Sequence, residues 1–464
     1  MSDIKSSDIK SSDKELELFK DKLFAEAKKK GFAAYEMYLS RGASFSVKVF
    51  EGAIREYKNA GDSGLSFRGI WNGKMGYAYS ERIGDDIIPF LVENAAQNAE
   101  IIEDTDIEDL FEGSSSYPAV QTWDEALAGI STEAKIHAAL AMEKAAKDAD
   151  SRVKAVDYCQ LGTGENEIVI ANSLGLNISQ RDNSAQAWSV PRVQAEDGQV
   201  KQNGDVWAGK DLKNFDAAAF GKRSAEIALS YLGAKSVASG KYPVIFTPNA
   251  MSDLLATFAG VFSAEEAQKG FSLLKGKTGE KIASGIVTLR DDPLLDQKPG
   301  SAAFDSEGVA AKNKAIIEGG IFRSFLHNRK TAKKDGVEPT GNGFKYSFKS
   351  SVAICPTNFY IVPSEKSQDE LIAETGEGLL ISDLAGLHSG ANSVSGDFSV
   401  SAEGHLISGG KKGRAIEQIT IAGNFFTLLG GITGIGGDLE FKGNICSPSI
   451  AVKELDVAGE EKNA

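Results

Sequence analysis

Cysteine is scarce: Cys159, Cys355 and Cys446 are the three in 464 residues. No two form a CxxC pair, so a disulfide framework is excluded and a reducing, cytoplasmic setting is expected. Histidine is nearly as rare, with His137, His327, His388 and His405 the whole set. No two lie one helical turn apart with a glutamate between them, which removes the common helical zinc-protease motif. No apolar window is long enough to span a bilayer, and the polar start lacks the apolar stretch of a signal peptide, so no membrane partner is expected. Positive charge is also short. Lys and Arg total 51 against 65 Asp and Glu, a net charge of -14, and a phosphate backbone needs a basic surface, so no nucleic-acid partner is expected.

What remains is an ordinary globular balance, 42% hydrophobic and 25% charged, in a chain long enough for two or three domains. Residues 1–13 carry a five-residue repeat, SDIKS twice, and read as a disordered lead-in. Ser12 and Asp13 can then cap a helix to Lys30, on which Leu16, Phe19, Leu23 and Ala27 recur at helical spacing before Gly31. The period changes to two at 35–39 and 45–49. A strand at 64–70, the turn Asn72-Gly73 and a strand at 75–79 follow. A helix at 85–102 completes an N-terminal domain placed at 14–112.

After a linker at 116–121, a helix at 132–149, strands at 153–161, 167–171 and 185–195, and a helix at 217–232 make a middle domain at 122–236. A buried strand at 243–248 then feeds a helix at 249–261. The Gly- and Ser-rich remainder makes 240–460 a mainly β domain. The fold class is therefore α+β, with N-terminal and middle α/β units followed by a mainly β C-terminal domain.

Chemistry read residue by residue yields no active site. A catalytic zinc needs about three protein ligands, so one here would have to be assembled from distant residues. His388 and His405, which share a Gly/Ser-rich stretch with Asp397 and Glu403, and Cys446 are the metal candidates. His137, beside Ala and Ile on a helix, reads as structural. Lys275-Gly276-Lys277-Thr278 is not a phosphate loop, because Phe271 stands where the motif needs glycine. The run Gly430 to Gly437 has no βαβ unit around it and reads as close packing. No GxSxG elbow exists to supply a nucleophile, and Cys446 reads as a small buried hydrophobe.

Several runs, however, resemble the TldD/PmbA family (peptidase U62, also named "modulator of DNA gyrase"). They are Phe304-Asp-Ser-Glu-Gly-Val309, Ile316-Ile-Glu-Gly-Gly-Ile321, Thr375-Gly-Glu-Gly-Leu-Leu380, Gly396-Asp-Phe-Ser399 and Ile419-Thr-Ile-Ala-Gly-Asn424. The resemblance runs in order from about residue 15 to 460. It implies two branches. TldD-like members carry an HExxxH zinc motif on a helix of the third domain, with a late cysteine as a further ligand. PmbA-like members, also called TldE, lack the motif and pair with a TldD-like subunit.

Lys269-Gly270 and Gly279 to Ser284 resemble the family sequence just after that helix. Counting back puts the two histidine positions at Leu255 and Gly260 and the glutamate at Ala256, which assigns the chain to the PmbA/TldE branch. On this resemblance no cofactor is expected in the chain and zinc is expected in a TldD-like partner. The chain is a metallopeptidase family member expected to be noncatalytic alone. Partners would be a TldD-like subunit or a second copy in a dimer, with an unfolded peptide as substrate whose maturation or degradation the complex assists. The segment 389–401 is expected to line the peptide cavity, giving His388, Ser389, Asn392, Ser395, Asp397 and Ser399 as substrate-binding candidates. Two other functions compete: a stand-alone peptidase with an unrecognised site around His388, His405 and Cys446, and a homodimeric peptide-binding module.

Overall fold

The computed structural model describes residues 6–101 and 109–460. Helix α1 (Ser6–Lys30) ends where Gly31, at φ 102°, donates its N–H to the Ala27 and Lys28 carbonyls, a left-handed stop suited to glycine. It begins at Ser6 and not at the Ser12–Asp13 pair, so residues 6–13, expected as disordered lead-in, are helical. Neither Gly nor Pro interrupts them, and a helix nucleated further along extends through such residues without a new nucleation cost. Residues 1–5, the rest of that lead-in, lie outside the described residues.

Strands β1 (Ala34–Phe50), β2 (Ala53–Trp71) and β3 (Lys74–Ser80) follow, then α2 (Ile88–Ile101). The two strands expected at 35–39 and 45–49 are one strand of 17 residues. Met37, Leu39, Phe45 and Val47 keep one parity through the polar residues between them, so all face the same side. Helix α2 is preceded by a 3-10 turn over Asp85–Ile87, and position 102, its expected end, lies outside the described residues. Next come α3 (Glu125–Ala128), α4 (Thr132–Asp148), β4 (Val153–Asn172), β5 (Asn177–Gln194), β6 (Val200–Gln202), β7 (Asp205–Gly209) and α5 (Ala217–Ser230). Ser131 and Asp216 cap α4 and α5 by accepting from the Ala134 and Ala219 amides, each satisfying a donor the helix itself cannot.

The N-terminal and middle units, expected to fold as separate domains, share one seven-stranded sheet in the order β3-β2-β1-β4-β5-β6, with β7 on β5. Strands β1 and β4 pair from Glu36↔Asn172 to Lys48↔Gln160. Helices α1 and α2 cover one end of a single face, burying Leu23, Leu39, Phe67 and Leu91 together. Helices α4 and α5 cover the other end, over Val47, Leu161 and Ala187.

The C-terminal domain opens with β8 (Gly240–Phe246), α6 (Pro248–Phe258) and α7 (Ala264–Lys269). Its middle is short: β9 (Leu289–Asp291), β10 (Lys314–Glu318), β11 (Ile321–Phe322), α8 (Arg329–Asp335), β12 (Gly343–Phe344), β13 (Ala353–Ile354) and β14 (Phe359–Ile361). It closes with α9 (Gln368–Thr375), β15 (Gly378–Ala385), α10 (Leu387–Gly390), β16 (Asp397–Ser408), β17 (Lys411–Asn424), α11 (Phe425–Gly430), β18 (Ile432–Ile435), β19 (Ile445–Cys446) and β20 (Ile450–Gly459). A six-stranded sheet, β17-β16-β15-β8-β20-β18, curls until β17 also pairs with β20, so these strands ring an apolar core that includes α6.

The second face of the large sheet meets this domain through buried polar groups. Glu36 and Arg68 are opposed across β1 and β2, with Arg68 Nε 2.7 Å from Glu36 Oε1 and the side chains 9% and 0% exposed. Glu307 senses both charges. Asp305 Oδ1 accepts from the Glu307 and Val309 amides at 2.9 and 3.0 Å, and its Oδ2 from Gly343 at 2.9 Å. Lys345 Nζ donates to Ser66 Oγ at 3.1 Å and lies 4.6 Å from the Tyr38 ring centre. The Phe348 ring packs so closely on β2 that a Cβ on Gly64 would sit 2.2 Å from it. Burial, and then the Glu307 carboxylate, push the Asp305 carboxyl well above the usual range.

Removing one member of a buried ion pair strands the other charge. Arg68→Met is therefore expected to cost about 3–5 kcal/mol in chemical denaturation. Lys29→Met, at an exposed pair with Glu26, should stay within about 0.5 kcal/mol.

Candidate functional site

Helix α6 starts cleanly because Thr247 accepts from the Ala250 amide and Pro248 occupies the first turn, where its missing N–H costs nothing. Met251, Leu254, Leu255 and Phe258 turn into the core, and Phe258 stacks on Phe425 with ring centres 4.7 Å apart. Leu255 is therefore core, at 0% exposure. Ala256 points outward, and Gly260 lies exposed just past the helix with nothing within 4 Å of where a Cβ would be. None of the three offers a lone pair to a metal or a base to a water molecule, so this donor set does not fit zinc.

The one ionisable side chain on α6 is Asp253, which the sequence reading passed over. Its position one turn before Ala256 and Thr257 was the available signal. Partial loss of water, and then the Asp383 carboxylate, hold it above the usual range. The chain returns to α6 late, where Ser252 Oγ accepts from the Ser447 amide at 2.9 Å. That contact brings Cys446 beside the helix, but the thiol is buried, donates to the Gly443 carbonyl at 3.2 Å, and is pushed up by burial. A thiol with a raised pKa is a poor ligand and nucleophile.

The remaining candidates divide between two places. His388 and Ser389 are exposed on α10, which packs against α6. Asn392, Ser395, Asp397 and Ser399 follow in the loop and the start of β16. Much of the loop's polarity holds the loop itself. Asn392 Oδ1 accepts from the Val394 and Ser395 amides at 2.9 and 3.2 Å, and Asn424 Nδ2 donates to Asp397 Oδ1 at 2.9 Å. The Asn424 amide and then the Ser395 hydroxyl hold the Asp397 carboxyl below its usual range. Ser389 Oγ donates to the Gly386 carbonyl at 3.2 Å, while Ser399 lies exposed on the strand.

His405 lies elsewhere. It sits opposite Leu380 and Ala415, at 4% exposure, with its ring 5.3 Å from that of Tyr231. At about 3.3 Å per residue, β16 carries it roughly 26 Å from Asp397, away from the loop that follows His388. His137 is exposed on α4 and His327 is buried near Thr340.

Three family models cover these units in order: PmbA/TldA metallopeptidase domain 1 over residues 35–99, the central domain over 125–232 and the C-terminal domain over 239–459. A crystal structure from Thermotoga maritima MSB8, named as a modulator of a DNA gyrase, is 33% identical. It overlays with a TM-score of 0.89 across 96% of this chain and 100% of that one. The chain belongs to the PmbA/TldD metallopeptidase family. TldE from Thermococcus kodakarensis is 25% identical with a TM-score of 0.87, over 95% of this chain and all of its own. Metalloprotease PmbA of Escherichia coli O157:H7 is 25% identical over 334 residues, 72% of this chain and 71% of its own. The family's three-domain architecture is thus that of this chain, with its first two domains sharing a sheet.

Burial pushes the His405 imidazole down to about 4, with Lys412 adding to the effect. A base whose folded pKa is depressed keeps its stability above the unfolded value near 6.5 and loses it as pH falls toward 4. The loss is expected to approach about 3 kcal/mol by pH 4. His405→Leu should flatten stability against pH in that window. Along α6, Leu255→Ala is expected to cost about 2–5 kcal/mol, and Gly260→Ala to change stability by less than about 0.5 kcal/mol.

Proposed function

We propose that this chain is a PmbA/TldE-type subunit with no catalytic zinc of its own, which works beside a zinc-bearing TldD-like subunit on an unfolded peptide in the cytoplasm. One observation carries the reading: Leu255, Ala256 and Gly260 stand where the family's zinc branch has two imidazoles and a carboxylate. Metal-assisted peptide hydrolysis needs an electrophile and a base to generate the attacking water, and these positions supply neither. The helix is nonetheless intact, capped and packed, so the scaffold around the missing chemistry is preserved.

An extended peptide is most simply held by adding a strand to an existing sheet. In this reading the exposed polar residues between His388 and Ser399, after α10 where it packs on α6, line the peptide path. The zinc-bearing subunit supplies the bond cleavage.

Zinc content of the purified chain, alone and co-expressed with a TldD-like subunit, tests the proposal together with cleavage of an unfolded peptide. Metal and cleavage are expected only in the complex. About one zinc per chain with cleavage by this chain alone would overturn it. Asn392→Ala combined with Asp397→Ala should slow processing by the complex at least about tenfold, and an unchanged rate would remove the loop from the peptide path.

A further inference from the structure

The segment that follows α7 turns two large apolar side chains into water. Phe271 and Leu273 are 51% and 48% exposed, while Ser272 and Leu274 beside them are buried. Leu274 joins the core that holds Leu254, Leu255 and Phe258 of α6. Ser272 Oγ donates to the Val261 carbonyl at 2.6 Å, so this apolar ledge is tied to the residue after Gly260. A Cβ on Gly260 would meet nothing within 4 Å, and Ala256, one turn earlier, is small and exposed. The C-terminal end of α6 thus has open space in front of it and the ledge tied beside it. Neighbouring large apolar side chains left in water mark a contact surface, as an isolated one does not.

The charges next to the ledge say what fits it. Two turns follow, in which the Lys275 and Lys277 amides donate to the Ser272 and Leu274 carbonyls at 3.3 and 2.9 Å. Lys275, Lys277 and, further on, Lys281 are exposed, and none has an acidic partner among the described residues. Lys269, just before the ledge, is by contrast paired with Glu265 at 2.8 Å. Residues 270–281 hold three lysines against one acid, Glu280, in a chain whose net charge is -14. The field of the whole molecule repels an acidic ligand, and here it is locally reversed. A carboxylate that docks on Lys275 and Lys277 breaks no existing ion pair. The complement of this surface is a segment in which Asp or Glu stands near apolar residues.

We infer that Phe271, Leu273, Lys275 and Lys277 select which peptides this chain accepts: extended segments that lay an apolar side chain on the ledge and a carboxylate over the lysines. The inference rests on the reading above that an unfolded peptide is the ligand, and adds the class of peptide to it. Ala256 and Gly260 are too small to obstruct a backbone passing the end of α6. Exposed ion pairs are individually weak, so the apolar contact supplies most of the affinity and the lysines supply the choice among peptides.

The test reads binding by fluorescence anisotropy on the full-length chain alone. The probes are two labelled unstructured peptides that share their apolar residues and differ only in carrying Glu or Lys. Lys275→Glu combined with Lys277→Glu should weaken the Glu peptide at least about tenfold and tighten the Lys peptide. Lys411→Glu combined with Lys453→Glu makes the same change in net charge at exposed lysines elsewhere, and should shift either peptide by less than about twofold. Phe271→Ser should weaken both peptides alike, about fivefold. No binding of the Glu peptide, an equal loss in the two charge-reversed variants, or capture by anionic phospholipid vesicles in place of either peptide would each overturn the inference. Zinc or cleavage found in the chain alone would overturn the noncatalytic reading and leave this binding result standing.

Discussion

The buried Glu36–Arg68 pair and the carboxylates above it set the constraint on which the rest of the architecture depends. A sheet strand must place alternate residues on opposite faces. Met37, Leu39, Phe45 and Val47 use one face of β1 for the helices, so Glu36 and Tyr38 are delivered to the other. A charge there is tolerable only if something both covers and satisfies it. Arg68 satisfies it from within the sheet, and the same guanidinium draws Glu307 of the C-terminal domain toward the pair. Two bodies that could otherwise slide on an apolar surface are held in one register by polar groups that accept few alternatives. The same run, Phe304 to Val309, is part of what makes the chain resemble its family, so its role in the fold is structural.

Helix α6 shows the opposite economy. Its inner face is continuous with the core, and its outer face keeps almost no chemistry beyond Asp253 and Thr257. A helix with one face in the core stays folded whatever stands on the other. Small residues at the outward positions Ala256 and Gly260 therefore leave the fold unharmed. At an inward position it takes a hydrophobe of suitable volume, which Leu255 is. That difference in burial explains how α6 keeps its packing with Leu255, Ala256 and Gly260 at these three positions.

Three features were legible in the sequence where pattern and packing coincide. The helix expected at 249–261 and found at Pro248–Phe258, the turn at Asn72-Gly73 and the strand-rich third domain follow from local chemistry that tertiary contacts reinforce. The less legible features were those in which a strand's partner lies far away in sequence. Nothing in Ala34–Phe50 announces Asn172 to Gln160 as its second neighbour, so the sheet that joins the first two domains was not legible. His405 looked like a companion of His388 because both lie in one Gly/Ser-rich stretch, but an extended strand separates what sequence places close.

By itself the sequence determined the class of the longer elements of the first two units, the residue types at Leu255, Ala256 and Gly260, and the family whose scaffold the chain shares. These rest on residue chemistry and order along the chain. Tertiary structure alone decided that β1 and β4 join two units into one sheet, and that Leu255 is core while Ala256 and Gly260 face outward. It also decided that His405 lies along β16 away from the loop after His388, and that eleven residues of β2 have no strand on the β3 side among the described residues. Each depends on which distant segment pairs with or covers another, and strand pairing is set by the burial of whole faces and not by any local signal.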